Sequence, residues 1–214
     1  MELHQKDPVQ EADTGDRRAQ ARTATVFKPV LMETDDFAGF CLIRNLSGTG
    51  LMGHAFADFP VNVLVTIHLG LHTVKGTLVW CSEGRIGVQF DQIIDVNRTL
   101  AQLAAPVADG RLNRAPRLRL QCHGDLIIGD RTLRVEVKDV SQRGIKIVAS
   151  FIRPGDELYV EIAGLERRKA VVRWTQGELA GLSFMSPLSF EQLASWAVLK
   201  QTEKLPTLCS ASNS

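Results

Sequence analysis

Short apolar runs alternate with clusters of Gly, Pro, Asp and Ser along most of this chain, the pattern of strands separated by tight turns. In the first half the runs are Ala24 to Leu31, Gly39 to Arg44, a resumption at Gly50 with Leu51 and Met52, Val61 to Leu69, Val74 to Cys81 and Ile86 to Phe90. In the second half they are Leu118 to His123, Thr132 to Lys138, Gly144 to Ala149, Glu157 to Ile162, Lys169 to Thr175 and Leu179 to Phe184. Each set ends in a segment of helical period. Asp95 to Ala104 places Val96, Leu100 and Leu103 on one stripe. Ser189 is positioned to cap a helix starting at Phe190, whose Phe190, Leu193 and Ala197 are expected to face the barrel before them. The fold class predicted is mainly all-β: two six-stranded antiparallel barrels in tandem, each closed by a C-terminal helix.

The two halves are copies. A shift of 94 positions, without a gap, lays Asn45 on Asp139, Ser47 on Ser141, Gly50 on Gly144, Trp80 on Trp174, Gly87 on Gly181 and Phe90 on Phe184. One coincidence of this kind is cheap; a Trp and several Gly and Ser in one register indicate a repeated domain. The expected division is a tail at 1–16, a first barrel at 17–105, a linker at 106–112, a second barrel at 113–203 and a tail at 204–214, with both tails disordered.

Composition narrows the function classes. With 214 residues and a net charge of +1, the chain has no overall basic field to attract nucleic acid, and at 6% aromatic content few stacking platforms. It has no apolar run long enough for a membrane-spanning helix. The polar, acidic N-terminus lacks the basic start and apolar stretch of a secretory signal, so a cytoplasmic location is expected. Cys41, Cys81, Cys122 and Cys209 form no C-x-x-C pair, and buried free thiols are expected rather than a metal site or disulfides. His68 and His72 are four apart, but on a strand and the turn after it, which disfavours a ligand pair. The basic run Glu166-Arg167-Arg168-Lys169 reads as a solvated hairpin loop. No catalytic constellation or phosphate-cradling loop is present, so a non-enzymatic protein without a cofactor is expected.

Two polar motifs carry the chemistry. Arg18 and Arg22 lie just before the first strand, with Ala19, Gln20 and Ala21 between them. A guanidinium fork pairs bidentately with phosphate or with the O6/N7 edge of guanine, and its plane can stack on a base. Asn45-x-Ser47-x-x-Gly50 lies where one strand ends and the next begins. It offers an amide and a hydroxyl to a guanine edge, with Gly48 and Gly50 allowing close backbone approach. Taken singly, each has a blander reading: a solvated basic arm, and an ordinary turn capping two strands.

Together, in this order and spacing, the motifs resemble the PilZ domain family, whose pattern is R-x-x-x-R followed some 20 to 30 residues later by [D/N]-x-S-x-x-G. Gly87-Val88-Gln89-Phe90 near the last strand adds to the likeness, which covers nearly the whole chain as two copies. The resemblance implies a bacterial receptor for cyclic di-GMP. Its ligand residues would be Arg18, Arg22, Asn45 and Ser47, with Gly50 shaping the turn and Arg17 placed to add a phosphate contact. It also implies a downstream protein partner in a process such as motility or exopolysaccharide production. The alternative is a nucleotide-independent adaptor acting through protein contacts.

The second copy departs from the pattern. Leu112 and Pro116 stand where Arg18 and Arg22 do, and no pair among Arg111, Arg114, Arg117 and Arg119 has the four-residue spacing. Asp139, Ser141 and Gly144 remain as a motif remnant. A structural or partner-binding barrel is expected there, against weak binding with Arg114 or Arg117 substituting.

Overall fold

The computed structural model of the protein describes residues 26–70, 72–104 and 115–202. The tails, the linker and the arm bearing Arg17, Arg18 and Arg22 lie outside the described residues. The first barrel is built from β1 (Lys28–Glu33), β2 (Ala38–Ser47), β3 (Gly50–Ala55), β4 (Leu64–Leu69), β5 (His72–Ser82) and β6 (Arg85–Phe90), followed by α1 (Val96–Ala104). The second is built from β7 (Cys122–Ile128), β8 (Arg131–Ser141), β9 (Gly144–Val148), β10 (Glu157–Ile162), β11 (Arg168–Gln176) and β12 (Leu179–Phe184), followed by α2 (Phe190–Thr202). Both are closed and wholly antiparallel: the first runs β1-β2-β3-β6-β5-β4, with β1 also paired to β4, and the second has the same order. Closure leaves no edge strand to protect. The predicted architecture of two tandem barrels is the observed one.

The repeat extends to the bulges. β2 is bulged between Ile43 and Asn45, and β8 between Val137 and Asp139. β5 is bulged between Leu78 and Trp80, and β11 between Val172 and Trp174. An extra residue in one strand re-aims the side chain that follows it, and each bulge here falls directly before a residue of the shared pattern.

Alternation fills each barrel. Ile43, Ile67, Leu78 and Ile86 are fully buried in the first, and Leu126, Val137, Ile145 and Ile147 in the second. Cys41 also points inward, and burial pushes its thiol from the ordinary 9.0 up to about 12. The unfolded chain releases this proton first. Its stabilising contribution is therefore complete below pH 9.0 and is lost between 9.0 and about 12, by up to ~1.4 kcal/mol per pH unit. Denaturant midpoints measured across that window should fall less steeply in Cys41→Ala than in the parent.

Several boundaries differ from the sequence expectation. β1 runs from Lys28 to Glu33 rather than from Ala24 to Leu31. The first strand of the second barrel is Cys122–Ile128 rather than Leu118 to His123, and Leu118 makes an isolated bridge to Val140. His123-Gly124-Asp125 resembles a turn, but Gly124 is buried within the strand. The turn is at Gly129, whose φ of +57° is the left-handed conformation glycine adopts without strain. The basic hairpin is solvent-exposed as expected, and its cations also find surface partners: Arg168 meets Glu166 at 2.8 Å, Lys169 meets Glu157 at 2.7 Å and Arg167 lies over the Tyr159 ring at 4.5 Å.

The two helices differ in what they cover. Asp95 caps α1 through Oδ1, which accepts from Arg98 N at 3.0 Å, and Leu103 seats the helix on its own barrel. Ser189 and Gln192 form a reciprocal capping box on α2. Leu193, Ala194, Trp196 and Ala197 are buried, and Trp196 Nε1 donates to Ala163 O at 3.0 Å. Phe190 departs from expectation. It packs edge-on against Phe40 and Phe56 of the first barrel, at 6.1 and 5.5 Å between ring centroids. Near the other end of α2, the Gln201 amide donates to Ala38 O at 2.7 Å and accepts from Ala38 N at 2.9 Å. Phe190, Ala194, Ala197 and Gln201 follow helical spacing, so α2 has a second stripe that grips the outside of β2.

Candidate functional site

Cross-strand register builds one row of side chains on the outer wall of each barrel. In the first barrel Asn45 is opposite Met52, Met52 opposite Gly87, and Gly87 opposite Trp80. Directly opposed residues share a face, and Asn45 and Trp80 are both exposed. In the second barrel the row is Asp139, Lys146, Gly181 and Trp174. Trp80, which the sequence reading used only as a repeat landmark, therefore lies along the same row as the motif amide.

The glycine in each row is required by the indole. A Cβ on Gly87 would stand 2.0 Å from Trp80 Nε1, and one on Gly181 2.1 Å from Trp174 Nε1. The rings lie flat across these residues and leave an aromatic face towards solvent. Gly87→Ala is expected to lift Trp80 off the sheet and to cost about 1–3 kcal/mol. Denaturant unfolding, together with the emission spectrum of Trp80, checks this.

The turn that follows the row is the same in both copies. Ser47 Oγ donates to Gly50 O at 3.0 Å, and Ser141 Oγ donates to Gly144 O at 3.0 Å. The motif serine thus closes its own hairpin, and it retains lone pairs with which to accept. Gly50 is needed for a close strand approach: a Cβ there would be 2.4 Å from Val88 O. The turn is tied onward to the helix, since Phe90 N donates to Thr49 O at 2.8 Å and Ile94 N to Gly48 O at 2.9 Å. Phe184 to Arg143 and Leu188 to Gln142 repeat these bonds in the second barrel.

The electrostatics separate the copies. Asp139 is 4% exposed, and its carboxylate is held by Arg117 Nη1 at 2.7 Å and Lys146 Nζ at 3.0 Å. Asn45 stands exposed and uncharged beside Met52. Arg117 comes from the segment just before the first strand of its barrel, so a guanidinium on that segment does reach the motif position. In the first barrel the corresponding segment returns to the same place, because Val26 N donates to Arg44 O at 2.8 Å, one residue from Asn45. Arg44 is the bulge residue, and its guanidinium lies over the Phe27 ring at 4.5 Å. Alternation with the buried Ile43 already points Arg44 outward, and the bulge brings Asn45 out beside it, a neighbourhood that motif spacing does not show.

A model of the PilZ domain matches residues 16–105 and again 112–197. The chain belongs to the PilZ domain family. Similar solved structures include the Bacillus subtilis inhibitor of motility MotI/DgrA, at 14% identity over 84% of this chain and 98% of that one, with a TM-score of 0.34. Others are Borreliella burgdorferi PlzA in complex with c-di-GMP, at 11% identity, 83% and 88% coverage and a TM-score of 0.33, and Escherichia coli YcgR in complex with c-di-GMP, at 12%, 82%, 84% and 0.35. No curated protein matches the sequence. His68 meets Glu33 at 2.7 Å, and no group of His, Cys, Asp or Glu suited to a metal ion occurs among the described residues of this PilZ protein. Nor is any helix among them long and apolar enough to cross a membrane.

Proposed function

We propose that this PilZ protein is a cyclic di-GMP receptor whose ligand is held on the outer wall of the first barrel. The observation that carries the reading is the return of the pre-strand segment to Arg44, beside the exposed Asn45. Arg22 is four residues before Val26, so a span of at most about 14 Å separates its backbone from that point. Arg18, Arg22 and Arg17 can therefore reach phosphates and guanine edges of a ligand lying along the row. Asn45 and Ser47 address the guanine edge, Gly50 keeps the hairpin tight, and Trp80 offers a stacking face. Because no carboxylate occupies the first row, the arginines have no internal partner there to compete with the ligand.

Calorimetric titration of the chain with cyclic di-GMP at low and raised salt tests the reading. Binding that weakens with salt and quenches Trp80 emission is expected, with the quenching lost in Trp80→Phe. Absence of any binding at low salt would sink it. A second reading, the nucleotide-independent adaptor, is favoured by the closed Asp139 of the second barrel; it is supported if partner capture occurs without nucleotide binding. On the receptor reading, output passes to a downstream protein through the turn and helix.

A further inference from the structure

One side of the first barrel carries apolar residues that its own fold does not bury. Val61, Leu64 and Val79 are 51, 65 and 43% exposed. They are neighbours: Leu64 stands opposite Thr77 on the adjacent strand, and Asn62 N donates to Leu78 O at 2.8 Å, which sets Val61 beside Val79. A single exposed apolar residue is ordinary, but a contiguous group marks a contact surface. The sister barrel shows that the fold does not require these residues. There Glu157 stands opposite Val171 as Leu64 does opposite Thr77. Pro154 precedes the left-handed Gly155 as Val61 precedes the left-handed Asn62, and Arg173 precedes Trp174 as Val79 precedes Trp80. The second copy thus keeps this side polar, with Glu157 paired to Lys169 at 2.7 Å, and the first copy makes it apolar.

The border of the patch is acidic. Glu33 stands opposite Thr66, two residues from Leu64, and Asp35 and Asp36 follow in the bend between β1 and β2. Asp58 joins them, because the next residue, Phe59, packs edge-on against Phe37 of that bend at 5.2 Å between ring centroids. Asp35, Asp36 and Asp58 are exposed and make no ion pair among the described residues, whereas Glu33 is held by His68 at 2.7 Å. Lys75, opposite Thr66, offsets one of these charges and leaves the border negative. Such a border repels nucleic acid and anionic lipid. Two copies of the chain meeting here about a two-fold axis would set carboxylates against carboxylates. We propose that this face docks a partner protein through a basic amphipathic segment, its apolar side chains on Val61, Leu64 and Val79 and its Lys or Arg towards Asp35, Asp36 and Asp58. The inference is independent of the ligand reading for the first barrel.

The test titrates the full chain, without nucleotide and at low salt, into a labelled amphipathic helical peptide of about 18 residues with leucine on one face and lysine on the other. A second peptide carries glutamate in place of the lysines, and fluorescence anisotropy reads both. Binding of the lysine peptide alone is expected, weakening with salt. Leu64→Ser with Val79→Ser should lower its affinity roughly tenfold or more. Asp35→Asn with Asp36→Asn should lower it several-fold and flatten the salt dependence. Both pairs change exposed side chains, so their circular dichroism should match the parent's. Phe151→Ser, which removes an exposed apolar side chain from the second barrel, should leave the affinity as it is. No binding, equal binding of the two peptides, or an affinity that neither pair lowers overturns the proposal. A parent that self-associates in sedimentation and becomes monomeric with Leu64→Ser also overturns it, since the face then belongs to a second copy.

Discussion

Alanine at Arg18 or Arg22 is expected to weaken cyclic di-GMP binding by roughly ten- to a hundredfold each, the range set by hydrogen bonds to charged groups at about 1.5–3 kcal/mol. The expectation follows from the contrast between the rows. In the second barrel a guanidinium from the equivalent segment is already spent on a carboxylate at 2.7 Å. In the first, the amide of Asn45 offers no such charge, so the forks depend on the ligand for partners. Lysine at either position keeps the charge but loses the fork, and should fall between parent and alanine variant. Calorimetry at low salt reads the series. If both alanine variants bind as the parent does, the arm has no role and the ligand reading of the first barrel fails with it.

The second large effect is on stability. Trp196→Ala is expected to cost about 3–5 kcal/mol, against a total of about 5–15 kcal/mol for a typical domain. Trp196 is 2% exposed and is among the largest fully buried side chains. Its loss opens a cavity between α2 and the barrel and leaves Ala163 O without the indole donor. Trp196→Phe keeps most of the apolar filling and should cost much less. Urea unfolding followed by circular dichroism distinguishes them; equal midpoints for parent and alanine variant would show that α2 is not held by this residue.

Much of the architecture was legible because the repeat is ungapped. Lys28 of β1 and Cys122 of β7 stand 94 positions apart, as do Val96 of α1 and Phe190 of α2. Trp80 with Gly87, and Trp174 with Gly181, were visible as landmarks, but their contact was not, since it depends on strand register rather than on spacing along the chain. Arg117 and Lys146 could not be matched to Asp139 for the same reason: one comes from a pre-strand segment and the other from across the ladder. The second stripe of α2 was hidden by its partner, because a helix read beside one barrel gives no sign of a sister barrel on its other side.

The bonds between each hairpin turn and its helix have a mechanical consequence. Gln142 holds Leu188 through its backbone carbonyl at 2.8 Å and its side-chain amide at 3.3 Å, just ahead of α2. The helix then runs 13 residues, about 20 Å, and ends with Gln201 lashed to Ala38. It is a strut rather than a tether: one end is fastened to the second barrel's turn, and its flank is fixed at Phe190 and at Gln201 to the first barrel, so the strand bearing Asn45 and the turn bearing Ser141 share one rigid brace.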